Sequence, residues 1–101
     1  MKRIAVVEDE ILMREELLDM LQKAGYQAEG ICDFEDVAGQ VISLSPDLAL
    51  LDLNLPGESG FDICIRIRAS SEVPIIFVTS RTDSMDELTG LMKGGDDYIT
   101  K

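Results

Sequence analysis

A chain of 101 residues makes one domain, long enough to bury roughly two thirds of its extended surface on folding. Twenty acidic residues against nine basic ones give a formal net charge of -11, which repels nucleic acid and anionic membrane and suits cations or basic partners, so this chain does not bind DNA by itself. With no histidine, it lacks the commonest general base and transition-metal ligand. Cys32 and Cys64 stand apart in apolar contexts without a Cys-x-x-Cys pair, and read as buried reduced thiols of a cytoplasmic protein.

In chain order, Met1-Lys2-Arg3 resembles the charged start of a signal peptide. The apolar run that follows, Ile4 to Val7, stops at Glu8-Asp9-Glu10, too short for secretion or a membrane span, and reads as a first strand ending on acids. From Glu10 the period turns helical: Met13, Leu17, Met20 and Ala24 form one stripe, Ile11, Leu18 and Leu21 lie beside it, and Gly25 stops the helix. The acids at its start suit the helix dipole. Gln27 to Cys32 reads as a weaker edge strand with small residues at alternate positions. Asp33 is the expected cap of a second helix whose apolar set is Phe34, Val37, Ala38, Val41 and Ile42.

Pro46 closes that helix and leads into Leu48 to Leu51, an unbroken apolar run of the length of a strand buried on both faces. It ends on Asp52, and Pro56-Gly57 forces a turn soon after. Phe61, Cys64, Ile65 and Ile67 predict a third helix with Arg66 and Arg68 facing water. Pro74 to Val78 reads as a fourth strand with Thr79 at its exit. Asp83 or Ser84 caps a fourth helix carrying Met85, Leu88, Leu91 and Met92 and ended by Gly94-Gly95. Tyr98 to Thr100 begins a fifth strand, and Lys101 follows. Strands alternating with single helices predict an α/β fold, a doubly wound five-stranded parallel sheet built from right-handed crossovers.

Four of the five strands end on residues with chemistry: Glu8-Asp9, Asp52, Thr79 and Lys101. In a parallel sheet these ends gather at one edge, where open α/β sheets bind ligands. Taken singly each has a plain explanation. An Asp starts loops, a Thr ends strands, and a terminal Lys is solvated. Together they would be four independent coincidences. Three carboxylates in one place repel one another unless a cation sits among them. Mg2+ fits because it takes a few carboxylates and fills its other positions with water and phosphate oxygens, whereas calcium wants more protein oxygens. An ionised Asp can attack phosphorus to give an aspartyl phosphate, and a nearby lysine and hydroxyl can neutralise and hydrogen-bond the transferred group.

Over its whole length the chain resembles the receiver domains of two-component response regulators. The motifs that carry the likeness are Val6-Val7-Glu8-Asp9-Glu10, Leu50-Leu51-Asp52-Leu53-Asn54-Leu55-Pro56-Gly57, Pro74-Ile75-Ile76-Phe77-Val78-Thr79-Ser80 and Gly94-Gly95-Asp96-Asp97-Tyr98-Ile99-Thr100-Lys101. The resemblance implies a flavodoxin-like strand order 2-1-3-4-5. It implies that Asp52 accepts phosphate from the phosphohistidine of a sensor histidine kinase. Asp9 and Asp52 would bind Mg2+ directly, Glu8 through water, and Asn54 through its backbone carbonyl. Thr79 would close on the phosphoryl oxygens, small Ser80 would leave access to them, Lys101 would pair with them, and Tyr98 would be the switch aromatic that follows Thr79. Asp-Asp-Tyr before Ile-Thr-Lys is most similar to regulators with a winged-helix domain, so DNA is a partner only through a domain outside residues 1–101.

Such domains continue past the lysine with a proline and a fifth helix, so residues 1–101 read as a receiver domain incomplete at its C-terminal side. The sheet face beside the first helix is then expected to expose apolar side chains and favour a dimer. Two rival readings remain. A phosphatase of the haloacid dehalogenase type needs an acid two residues after its nucleophile, where this chain has Asn54, which cannot serve as general acid. The other is a receiver-shaped binding module that is not phosphorylated; such modules lose an acid, the hydroxyl or the lysine, and all are present here.

Overall fold

A computed structural model describes residues 2–53, 55–79 and 97–100, with only the backbone described at 79 and 97–100. Five parallel strands pair in the order β2-β1-β3-β4-β5: β1 Arg3–Val7, β2 Gln27–Gly30, β3 Leu48–Leu51, β4 Ile75–Thr79 and β5 Asp97–Thr100. Three helices are described, α1 Ile11–Lys23, α2 Val37–Leu44 and α3 Gly60–Arg68. The doubly wound order and the edge position expected for the second strand are both present. The fourth helix expected around Met85 to Met92 lies outside the described residues.

β1, β3 and β4 are buried on both sides, successive side chains pointing to opposite faces. Ala5, Val7, Ala49, Leu51, Ile75 and Phe77 form one core with α2 and α3, into which Val41, Ile63, Cys64 and Ile67 pack. Ile4, Val6, Leu50 and Val78 form the opposite face, against Leu17, Leu18 and Leu21 of α1. The two sides are unequal. No residue of α1 is fully buried, and Met20 is 59% exposed. A groove of ≈ 490 Å3 lined largely by Ile4, Leu17, Leu21, Leu50, Ile76 and Val78 lies open beside the helix. The first helix thus packs through Leu17 of the expected stripe and through Leu18 and Leu21 beside it, whereas Ile11, Met20 and Ala24 are exposed, Met20 at the rim of that groove.

Other local readings need correction. The cap of α2 is Asp36, whose carboxylate accepts from the Gly39 amide at 3.1 Å, and not Asp33. Asp33 instead accepts from the Glu35 amide at 3.0 Å in a side-chain turn that begins three residues before the cap. Phe34 therefore packs on the core from a loop. On α3 the buried stripe is Gly60, Ile63, Cys64 and Ile67, at i, i+3, i+4 and i+7, while Ile65 is 46% exposed. Ser59 caps this helix by accepting from the Asp62 amide at 3.2 Å. Arg66 faces water beside Glu58, but Arg68 turns inward to donate to the Val73 carbonyl. Cys64 is buried as expected, whereas Cys32 is exposed because β2 ends two residues before it; neither is joined in a disulfide. Gly25 (φ 97) and Gly57 (φ 81) take the left-handed conformations that the stop and the turn require.

If Asp36 is the cap, Asp36→Ala should cost about 1 kcal/mol of folding stability by urea denaturation. Asp33→Ala should cost less than half of that.

Candidate functional site

Parallel pairing sets the site's position. Val7 is in register with Leu51, so the residues that follow each of them leave the sheet side by side. The Asp52 amide donates to the Val7 carbonyl at 3.0 Å, extending the ladder one residue beyond the strands and fixing Asp52 against the end of β1. Glu8 and Asp52 are 2% and 4% exposed, while Asp9 is exposed. One carboxylate oxygen from each of Glu8, Asp9 and Asp52 falls within 4.8 Å of the others. The acids expected to converge do converge.

The loops that carry them are held from below. Glu8 Oε2 accepts from the Glu10 amide at 3.2 Å, and the Glu8 carbonyl accepts from Arg14 Nη1 at 3.0 Å. On the other side, the Gly60 amide donates to the Leu53 carbonyl at 2.9 Å, so the first residue of α3 sits directly on the Asp52 loop. A Cβ on Gly60 would lie 2.2 Å from the Asp52 carbonyl oxygen and 2.9 Å from Leu53 Cα. Only glycine allows that approach. Neither Gly60 nor Arg14 stood out in the sequence. The signal for Gly60 is a glycine at the first position of a helix, and the one for Arg14 is a cation near a helix N-terminus, where the dipole disfavours it.

Thr79 ends β4 at the same edge of the sheet, and Tyr98 of β5 is in register with Phe77. Asn54, Ser80 and Lys101 lie outside the described residues.

Carboxylates no more than 4.8 Å apart repel one another when ionised, and a cation among them offsets that repulsion. An all-oxygen donor set of three carboxylates at an open sheet edge has the chemistry of a hard divalent cation site and fits Mg2+. It offers no sulfur or imidazole to a softer metal.

Residues 4–101 match the family described as the response regulator receiver domain. Among known relatives, the DNA-binding response regulator MtrA of Mycolicibacterium paratuberculosis is 44% identical over 100 residues, covering 99% of this chain and 44% of MtrA. The chain thus spans less than half the length of that relative. Among solved structures, the N-terminal domain of the nisin resistance regulator NsrR superposes with a TM-score of 0.87 at 38% identity, covering 99% of this chain and 85% of that one. The response regulator TrrA of Thermotoga maritima, solved in complex with Mg(2+)-BeF, superposes with a TM-score of 0.88 at 33% identity, covering 100% of this chain and 87% of that one.

The contact between α3 and the Asp52 loop predicts that Gly60→Ala lowers stability by about 1–3 kcal/mol, read as a shift of the urea midpoint. Gly57→Ala, where a Cβ meets nothing within 4 Å, should cost less despite its positive φ.

Proposed function

Because the chain belongs to the response regulator receiver domain family, we propose that it is a phosphorylation-dependent signalling switch in which Asp52 accepts a phosphoryl group from a sensor histidine kinase. The observation that carries this reading is the convergence of Asp52 with Glu8 and Asp9 within 4.8 Å at the exits of neighbouring parallel strands.

In this mechanism an Asp52 oxygen attacks phosphorus as the bond from phosphorus to the donor nitrogen breaks, leaving an aspartyl phosphate on Asp52 and the histidine free. Asp9 and Asp52 would hold Mg2+, with Glu8 acting through water and Asn54 through its backbone carbonyl. When bound, Mg2+ offsets the charge that the carboxylates and the phosphoryl oxygens bring together. Thr79 hydrogen-bonds the transferred group and Lys101 pairs with it. Tyr98 follows Thr79 and passes the change to the surface. Burial of Asp52 supports its role, since a nucleophile held against the sheet by its own amide is oriented before the donor arrives. The same residues assist hydrolysis of the aspartyl phosphate, so the domain times a signal and is not built for turnover of a substrate.

Residues 1–101 act as the receiver domain. The output is transcriptional and reaches DNA through a separate domain, in keeping with the DNA-binding regulator that the chain resembles. The chain is cytoplasmic on this reading; among the described residues no helix is long and apolar enough to cross a membrane. Self-association is supported by the apolar groove beside α1 and by the exposure of Ile11, Leu12 and Met20 on that helix.

Incubated with Mg2+ and acetyl phosphate, the chain should gain one phosphoryl mass, mapped to Asp52 by peptide analysis. Asp52→Asn should gain none, and Asp9→Asn should lose most of the Mg2+ requirement together with most of the rate. Phosphate mapped to another residue would overturn the assignment. Sedimentation velocity should show a dimer at high protein concentration, and a chain that stays monomeric there removes self-association from the reading.

A further inference from the structure

Arg14 is a cation in the first turn of a helix, and its guanidinium donates to a backbone carbonyl. Nη1 lies 3.0 Å from the oxygen of Glu8, six residues back in the chain. That bond crosses the turn between β1 and α1. The turn is a short one, and the bond from the Glu10 amide to Glu8 Oε2 also restrains it. Between these two fixed points stands Asp9, whose carboxylate is exposed and has to be aimed by its backbone. The guanidinium stem is itself seated: a Cβ on Gly30, at the end of β2, would lie 3.1 Å from Arg14 Cδ and 3.3 Å from Leu18 Cδ1. The bare backbone of Gly30 thus leaves the channel through which Arg14 reaches Glu8.

We propose that Arg14, seated on Gly30, is a positioning residue that holds the Glu8–Glu10 turn in the conformation that binds the divalent cation, and so sets the affinity of the site. The inference rests on the reading of Glu8, Asp9 and Asp52 as a Mg2+ site. It adds that the aim of Asp9 is fixed from outside the acidic cluster, by a residue of α1 and a glycine of β2. Two physical effects of Arg14 have opposite signs here. As a positive charge beside the cluster it opposes a second cation, so deleting it strengthens binding by electrostatics alone. As the donor that fixes the turn it favours binding, so deleting it weakens binding. Groups that orient metal ligands without touching the metal commonly change affinity 10- to 100-fold when removed, which is enough to decide the net direction.

The test is calorimetric titration of the 101-residue chain with Mg2+ alone, with the melting temperature of each variant measured alongside. Arg14→Ala should bind about 10-fold more weakly than the parent chain, and Arg14→Lys, which keeps the charge and a donor, should recover part of the loss. Gly30→Ala should weaken binding in the parent chain and add almost nothing in the Arg14→Ala background, because the stem it displaces is gone. Unchanged or tighter binding by Arg14→Ala overturns the inference while leaving the metal site intact, as do independent effects of the two substitutions. A parent chain that takes up no Mg2+ overturns both this inference and the reading beneath it.

Discussion

The pairing of β1 with β3 is the constraint on which the site depends. Four residues of each strand run in parallel register, Ile4 with Leu48 through Val7 with Leu51, and the ladder continues in the bond from the Asp52 amide to the Val7 carbonyl. A slip of one residue would exchange the two faces of β3, turning Leu51 away from the core of α2 and α3 and moving Asp52 relative to Glu8. The apolar pattern that buries Ala49 and Leu51 on one side and Leu50 on the other therefore also specifies the distance between the carboxylates. Core and site are specified by the same residues, and the register cannot be relaxed for one without the other.

The strands and the acidic cluster were legible in the sequence for a shared reason. A run such as Leu48 to Leu51 is long enough for a strand and too short for a helix, and Asp52 marks where it leaves the core. Once the alternation with helices implies parallel strands, the exits must lie together. Helix ends and phases were less legible. Asp33 and Asp36 both carry a side chain able to cap, and the choice was settled by where the chain leaves β2 and by the turn that Asp33 makes with Glu35. On α3, Phe61, Cys64 and Ile67 pack on the core as their pattern suggests, but Ile63 lies inward where Ile65 was expected, the phase in which Gly60 lies against the backbone of the Asp52 loop. Cys32 was placed in a strand that ends at Gly30. Arg14 and Gly30 could not be read at all, since their partners are a carbonyl and a side-chain stem contributed by other segments. Periodicity reports which face is apolar, and it is silent about hydrogen bonds to backbone.

Backbone groups do much of the orienting. Asp52 is placed by its own amide and by the first residue of α3 under its carbonyl; Glu8 is held at its carbonyl and by the Glu10 amide. The described ion pairs, Lys23 with Asp19 and Arg66 with Glu58, lie elsewhere on the surface and contribute little. The molecule thus keeps two acids at a few per cent exposure beside a third.

The uneven covering of the sheet has a consequence for motion. The helices α2 and α3 are each anchored by at least three fully buried side chains, whereas α1 has none and holds its face of the sheet by partly covered leucines. Its amides should therefore exchange with solvent through a low-energy local opening that leaves the rest of the sheet folded. Because the Glu8–Glu10 turn is tied to α1 through Arg14, such an opening also releases the turn that carries two of the three acids. Occupancy of the cluster and docking of α1 are then thermodynamically linked, and a cation that prefers the held turn slows amide exchange along a helix it never touches.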